Sequence, residues 1–544
     1  MLTSTRRKFL GSVGVLGGVI GSLAFWSKKS RALDRIKISI AGPNVSAGHH
    51  KFDPDQTLAS TKQHGIVIAG GGVAGLSAGW WLKKSGFTDF VILELEHDAG
   101  GNARAKSNEI SPYPLGAHYI PMPGPEAVYL RTLFEDMGII KGYDAAALAI
   151  IDEFAACHTP KERLLSQGVW QESIIPALGV QQTELDQIQA FQEFATSFAG
   201  KKGTDGRYAF ASPAALSSKD PEFTKFDGMS VQELLNSKGM DSKHLAWYLN
   251  YCCRDDFGSN LEKTSAWALL HYFNARHGNG GEIVTWPDGI GHVVSYLTDY
   301  LKDHLITGAA VKDISQNKHE TKTVYQLSEK GSFGAPIDSY AFESKAVICA
   351  LPQFVCASVI AERRQQRPKF LDAFSYSPWL VANIKINDIK ALAAGVPVSW
   401  DNVSQNSHSL GYVVANHQTL NAVPGPVNIT YYLPVTEIEP HVARAALFDM
   451  PLESWRNHIV KDLSAMHPTI AGSIEAIEIW LWPHGMIRPT PGFITSTDRQ
   501  EALKPLGRIH FAHSDLSGMS LFEEAQYQGV QAAIKALQRS RHEV

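Results

Sequence analysis

The chain of 544 residues has only five cysteines, Cys157, Cys252, Cys253, Cys349 and Cys356. So few, with no Cys-x-x-Cys among them, exclude a disulfide framework and a thiol redox motif. Adjacent Cys252 and Cys253 read as packing residues. An excess of charge of one sign is missing as well. With 50 Lys+Arg against 54 Asp+Glu, a strongly basic nucleic-acid binder is excluded. No stretch reaches the ~20 uncharged apolar residues that span a bilayer. Internal repeats and low-complexity runs are absent. The 21 histidines include His271 and His277, six apart, and the adjacent His49 and His50. Neither pair has the i,i+4 spacing of a helical zinc site, so no metal is expected. What is present is a foldable body: 44% hydrophobic and 10% aromatic residues exclude general disorder.

The near-neutral balance hides an asymmetry. Residues 1–32 hold Arg6, Arg7, Lys8, Lys28, Lys29 and Arg31 and no acidic residue, which leaves 44 basic against 54 acidic in 33–544. Arg6-Arg7-Lys8-Phe9-Leu10 precedes an uncharged, Gly-rich run from Gly11 to Trp26. A paired arginine before a moderately apolar run resembles a twin-arginine export signal, and the basic residues after the run fit it. The resemblance implies a twin-arginine translocase as a partner during export and a periplasmic or exported location. Cleavage after Ser30-Arg31-Ala32 and an uncleaved membrane anchor both remain open. Residues 33–62 are polar, bear Gly and Pro, and read as a linker or extended arm.

Gly65-Ile66-Val67-Ile68-Ala69 is an apolar run of strand length. It leads into Gly70-Gly71-Gly72-Val73-Ala74-Gly75 and then a helical pattern through Leu82. This is G-x-G-x-x-G between a strand and a helix. Gly70 allows the tight turn, Gly72 lets backbone approach a pyrophosphate, and Gly75 permits close helix–strand packing. Val73 and Ala74 open the helix, whose N–H groups and partial positive charge suit the phosphates. Phe90-Val91-Ile92-Leu93 is a second strand, ending at Glu94, 19 residues past Gly75. That is the place for an acid that accepts ribose hydroxyls; Glu96, on the same strand face, competes for the role. Gly75-Leu76-Ser77-Ala78-Gly79 also spells the G-x-S-x-G elbow of serine hydrolases. The turn is already taken by Gly70–Gly72, however, which puts Ser77 inside the helix and excludes that reading.

Further patches carry a resemblance. Gly100-Gly101-Asn102-Ala103-Arg104 follows the ribose acid. Leu115-Gly116-Ala117-His118 comes next, and Val311 lies in the strand-like run 306–314. Near the C-terminus, Gly507 to Ala512 reads as a strand, His513-Ser514-Asp515 as a turn, and Phe522-Glu523-Glu524 as the start of a helix. In order and spacing these patches are similar to the cofactor motifs of the flavin-containing amine oxidase superfamily, across roughly residues 63–537. The resemblance implies FAD as cofactor. It puts Gly100, Gly101 and Arg104 at the second cofactor motif, with Asn102 where the family has Arg. It sets Gly116, Ala117 and His118 beside the flavin and Val311 against the adenine. Ser514, Asp515, Phe522 and Glu523 fall at the last flavin element, where a helix start stabilises charge on the reduced flavin.

The fold expected is α/β, a Rossmann-like FAD-binding domain interleaved with an α+β substrate domain of antiparallel sheet plus helices. Residues 63–120, 286–360 and 496–544 belong to the first, 121–285 and 361–495 to the second. Helices are expected over 126–140 and near 185–198 and 231–267, with strands at 379–386 and 427–433. Many relatives place a Lys near the flavin; Lys385 is the candidate, with Asn383 as its rival and a solvated strand Lys as the plainer reading. Aromatic walls map to Leu521 and to the region of Trp480-Leu481-Trp482-Pro483-His484. His484 and His118 are candidate catalytic groups. Against these stand a surface loop over 483–492 and a structural hydrogen bond for His118. The function implied is FAD-dependent oxidation of an amine or related small organic molecule by hydride transfer, with dioxygen or another electron acceptor. A carotenoid-type desaturase or isomerase is the alternative within the class, and a non-catalytic flavin-stabilised binding protein the alternative outside it. A small amine predicts a closed cavity with aromatic walls; a large apolar substrate predicts a tunnel.

Overall fold

The computed structural model describes residues 33–49, 53, 57–276, 282–328, 338–419 and 425–542. The export-signal pattern in 1–32, His50 and His277 lie outside them.

The strand ahead of the glycine loop, Ser60–Ala69, forms the middle of a seven-stranded sheet. It pairs in parallel with Phe90–Leu93 on one side and Asp338–Cys349 on the other. Ile509–Phe511 joins the second half of Asp338–Cys349, also in parallel. Antiparallel Thr321–Leu327 joins its first half and carries Ala309–Gln316 at the edge. The parallel stretches 66–69, 90–93 and 346–349 are continuous apolar runs because both faces are covered. Ile66, Ile68, Phe90 and Ile92 face one core, packed with the helices Val73–Lys84, Gly291–Leu301 and Phe522–His542. Val67, Val91, Leu93 and Val347 face the other, with Cys349, Cys356 and Ile360. The parallel strands ending at Ala69, Leu93, Cys349 and Phe511 come from the beginning, middle and end of the chain, so the cofactor half is assembled from distant segments.

The second sheet has eight strands in the order Lys37–Ala41, Ile474–Ile487, Tyr376–Ile386, Val427–Pro434, Tyr412–Val414, Asp401–Ser404, Glu162–Ser166 and Val169–Glu172. One face packs on the helix Leu452–Met466. The other, with Trp379, Val381 and Tyr432, packs on a helical layer that includes Gln182–Thr196, Val231–Ser237, Lys243–Phe257 and Ala266–His271. The sequence periodicity had marked these helices and the two central strands.

Two stretches differ from expectation. Residues 33–62 are more than a linker. Lys37–Ala41 runs parallel to Ala476–Trp480 as an edge strand, and Val45–His49 is a short helix. A five-residue strand on a sheet edge has too few alternations to stand out from a polar arm. Residues 483–492 do not begin as a surface loop, because the strand Ile474–Ile487 continues through Pro483. The ladder pairs Trp379 with Trp482 and then Ser377 with Met486. Pro378 and the three residues 483–485 therefore form a bulge, which accommodates two prolines and turns His484 out of the ladder.

Candidate active site

Helix Val73–Lys84 begins at Gly72 with no side-chain cap, which leaves its start to a ligand. The loop before it is built from residues that must lack a side chain. Gly70 has φ +104°, and a Cβ on Gly75 would stand 1.8 Å from the Gly70 carbonyl oxygen. Ser77 is buried within this helix, away from any turn. The helix Phe522–His542 crosses so close that a Cβ on Gly529 would meet the Ala74 carbonyl at 2.1 Å.

A cavity of about 540 Å³ runs over this loop, lined by Gly70, Gly72, Val73, Ala74, Glu94, Gly100, Gly101, Arg104, Ala117, Val311, Ser514, Asp515 and Phe522. Glu94 is buried and accepts the Gly71 N–H at 2.7 Å and the Glu96 N–H at 2.9 Å. Burial raises its carboxyl above the usual range, opposed by those two N–H groups and by Arg104. The competing Glu96 is engaged elsewhere: it accepts the Asn44 N–H at 2.7 Å and pairs with Arg104 at 3.4 Å. Arg104 lies over the rings of Trp480 and Trp482, 5.0 and 5.4 Å from their centres. Asn102, in the place where Arg was expected, ties the second motif to the bulged strand through the Gly485 carbonyl. The Asn102 carbonyl in turn accepts the Ala117 N–H at 3.0 Å.

Asp515 accepts from the Tyr376 hydroxyl at 2.6 Å and the Gln353 N–H at 2.9 Å, and pairs with His513. Burial opposes its ionisation, but His513, Tyr376 and Gln353 outweigh it and hold the carboxyl below its usual value. Both of its oxygens already have protein partners, so it braces the cavity as well as lining it. His484 stacks on Phe354 at 4.3 Å, and burial with Arg444 nearby lowers its ring to about 4. Two candidates lie off the cavity. Glu523 is buried at the start of the last helix, while its neighbours Phe522 and Ala525 provide the lining. Lys385 bonds Glu109, and Glu475 at 3.0 Å, and these carboxylates raise its pKa. It shares strand parity with Trp379 and Val381 but sits four residues beyond Val381, roughly 13 Å along the strand. Its rival Asn383 is occupied as well, donating to the Pro114 carbonyl at 3.0 Å and accepting from Thr430 at 2.8 Å.

A smaller chamber of about 130 Å³ opens off the first cavity at Asn102, Ala117, Trp482, Leu521 and Phe522. Its walls include Gly116, His118, Tyr119, Trp379, Tyr432, Asp255 and Asp256. The aromatic wall thus comes from Trp379, Tyr432 and Trp482, with Leu521 completing it. Trp482 Nε1 donates to the Leu115 carbonyl at 2.7 Å and the Tyr432 hydroxyl to the Gly116 carbonyl at 3.0 Å, which fixes both rings. His118 lies 4.7 Å from the Tyr432 ring, and burial lowers it to about 3, so it is neutral at ordinary pH.

Asp255 and Asp256 had no signal in the sequence. They stand in the last turn of the helix Lys243–Phe257, whose C-terminal end adds partial negative charge. The Tyr119 hydroxyl donates to Asp256 at 3.2 Å. Burial and then the charge of Asp255 push the nearby Asp401 carboxyl well above its normal range. No Lys or Arg among the described residues lines this chamber. Among the described residues no cluster of three His, Cys, Asp or Glu is arranged to hold a metal, and no helix is long and apolar enough to cross a membrane.

The residues present fit a flavin dinucleotide: a glycine cradle at a helix start, a buried acid at the second strand end, and a cavity continuing to the start of the last helix. A model of the flavin containing amine oxidoreductase family matches residues 73–537. Among solved structures, putrescine oxidase bound to putrescine is 14% identical and matches with a TM-score of 0.63, over 88% of this chain and 100% of that one. Cyclohexylamine oxidase from Brevibacterium oxydans IH-35A is 13% identical at a TM-score of 0.61, covering 88% and 99%. A CLA-producing fatty acid isomerase from P. acnes is 15% identical at 0.60, covering 87% and 98%. No curated protein sequence matches the chain. At these identities the structural likeness establishes the fold.

Proposed function

Because this chain belongs to the flavin containing amine oxidoreductase family, we propose that its FAD-dependent oxidation acts on a small amine bearing a second cationic group. The observation that carries this reading is the chamber's charge. Two carboxylates and a helix C-terminus face a space whose walls hold no Lys or Arg among the described residues, and neither aspartate lines the cofactor cavity. An ammonium group entering there meets carboxylates in an environment of low dielectric, where such pairing is strong. The neutral ring of His118 does not oppose it.

When bound, FAD accepts a hydride equivalent from the carbon beside the reacting nitrogen and passes the electrons on. The protein's part is placement. Asp255 and Asp256 hold the distal ammonium at the far end of the chamber. Trp379, Tyr432 and Trp482 confine the methylene chain and exclude water. The near nitrogen then lies at the junction with the cofactor cavity, between Ala117 and Phe522, away from the carboxylates. Its neutral, reactive form is favoured there by burial. A polyene hydrocarbon carries no cation for the two carboxylates to hold, which disfavours the carotenoid-type desaturase or isomerase, and a fatty acid would set its own carboxylate against them. Export through the twin-arginine route remains part of this reading, supported by the pattern at Arg6-Arg7.

The test is anaerobic mixing of the flavoprotein with a linear diamine, the matching monoamine and a polyunsaturated fatty acid, with Asp255→Asn and Asp256→Asn in parallel. The diamine should bleach the flavin absorbance fastest. Each substitution should raise the diamine's apparent Kd by about 10-fold, the scale of one hydrogen bond to a charged group, and leave the monoamine nearly unaffected. Equal rates for diamine and monoamine, unchanged in the variants, would refute the assignment of the aspartates.

A further inference from the structure

The segment ahead of the glycine loop lies against the cofactor site. Lys37–Ala41 pairs with Ala476–Trp480, the same strand that goes on to supply Trp482 and His484 to the cavity wall. Gly42 keeps the chain close, since a Cβ there would stand 3.0 Å from the Leu481 carbonyl oxygen. The chain then turns over the cavity mouth, where Pro43, Asn44, Val45, Gly48 and His49 join the lining.

The turn is held from both sides. Asn44 Oδ1 accepts the Ala47 N–H at 3.1 Å and the Ser46 hydroxyl at 2.9 Å. The Asn44 N–H donates to Glu96, two residues past the ribose acid. From the opposite strand, Lys312 donates to the Ala47 carbonyl and, at 3.4 Å, to the Gly48 carbonyl. Lys312 follows Val311, the position set against the adenine. These ties lie at the Glu94 and Val311 end of the cavity, the end that the family resemblance sets against the adenosine. Val45, an apolar side chain in the lining, is left 40% exposed.

We propose that residues 43–49 are a cofactor-binding strap that closes over the adenosine half of FAD, with Val45 packing on the bound cofactor and Lys312 and Glu96 as its anchors. The strap buries apolar surface only when FAD is beneath it. Strap order and cofactor retention are therefore linked, each favouring the other.

The experiment uses the full chain with FAD bound. Asn44→Pro removes the N–H given to Glu96, and Lys312→Met removes the donor to the 47 and 48 carbonyls. Release of FAD is followed by the rise of free-flavin fluorescence on dilution. Hydrogen exchange of the wild-type peptides covering 37–49 is compared with FAD bound and after its removal. Each variant should release FAD at least about 10-fold faster, the scale of the bonds lost, since Asn44→Pro also removes the side-chain acceptor of Ala47 and Ser46 and Lys312→Met both donations of a charged group. Residues 43–49 should lose protection when FAD is removed, while 37–41, held by the sheet, keep theirs. Wild-type release rates in both variants, or exchange of 43–49 that does not respond to FAD, would overturn the proposal.

Discussion

At the scale of single residues, two carboxylates beside the cofactor cavity have opposite duties. Glu94 is buried, lines the cofactor cavity and accepts the N–H groups of Gly71 and Glu96. Glu96 anchors Arg104 and the strap. Glu94→Gln keeps the shape but loses charge and one acceptor oxygen. FAD should bind about 10- to 100-fold more weakly, measured by titrating apoprotein with FAD, and unchanged affinity would reject the ribose role. His118 is neutral above about pH 3. His118→Gln should therefore leave the acid limb of the kcat/KM profile where it is; a limb that moved would make His118 a titrating catalyst. Glu94 was legible because strand, turn and helix around it have a fixed geometric meaning. Lys385 and Asp255 were not. Parity puts a strand residue on a face, but only register tells how far along that face the site lies. A pair of aspartates at the end of a helical pattern looks the same whether that helix ends in solvent or in a chamber.

At the scale of elements, the glycine-loop helix and the last helix touch backbone to backbone at Ala74 and Gly529. Gly529→Ala would drive a methyl group into the Ala74 carbonyl. Overpacking of this kind costs about 1–3 kcal/mol. Because it displaces the helix start that faces the phosphates, lower thermal stability should come with weaker FAD retention; an alanine variant as stable and as yellow as wild type would contradict that packing. Glu524, on the same helix, accepts the Ala214 N–H at 2.6 Å, and burial raises its carboxyl to about 7. A carboxyl raised in this way holds its proton in the fold between its unfolded value of 4.5 and about 7, so stability falls as pH rises through that window. Glu524→Gln lacks this titration. Its stability relative to wild type should increase from pH 4.5 to above 7 by up to roughly 3 kcal/mol in paired thermal melts, and a difference independent of pH would contradict the assignment. Helices and central strands were legible from period. The edge strand Lys37–Ala41 and the bulge at 483–485 were not. The first is too short to show a period, and prolines at the second read locally as a loop although the sheet absorbs them.

At the scale of the whole molecule, two sheets from interleaved segments meet where the parallel strands end. The cofactor cavity starts at the strand ends of the first sheet and is closed by Tyr376, Trp482 and His484 of the second, while the second sheet and its helical layer give the chamber Trp379, Tyr432, Asp255 and Asp256. The interleaving was legible because the cofactor motifs fall at the beginning, middle and end of the chain. The chamber was not, since its walls come from distant stretches between Asn102 and Phe522 that only the fold brings together. Its charge is the basis for choosing an amine over a fatty acid. The most direct measurement is anaerobic titration of the FAD-loaded protein with a linear diamine. The diamine should bleach the flavin absorbance completely, while a polyunsaturated fatty acid should leave the flavin oxidised and its own double bonds in place. A flavin that stays oxidised with every amine, or a fatty acid isomerised without net bleaching, would contradict that choice.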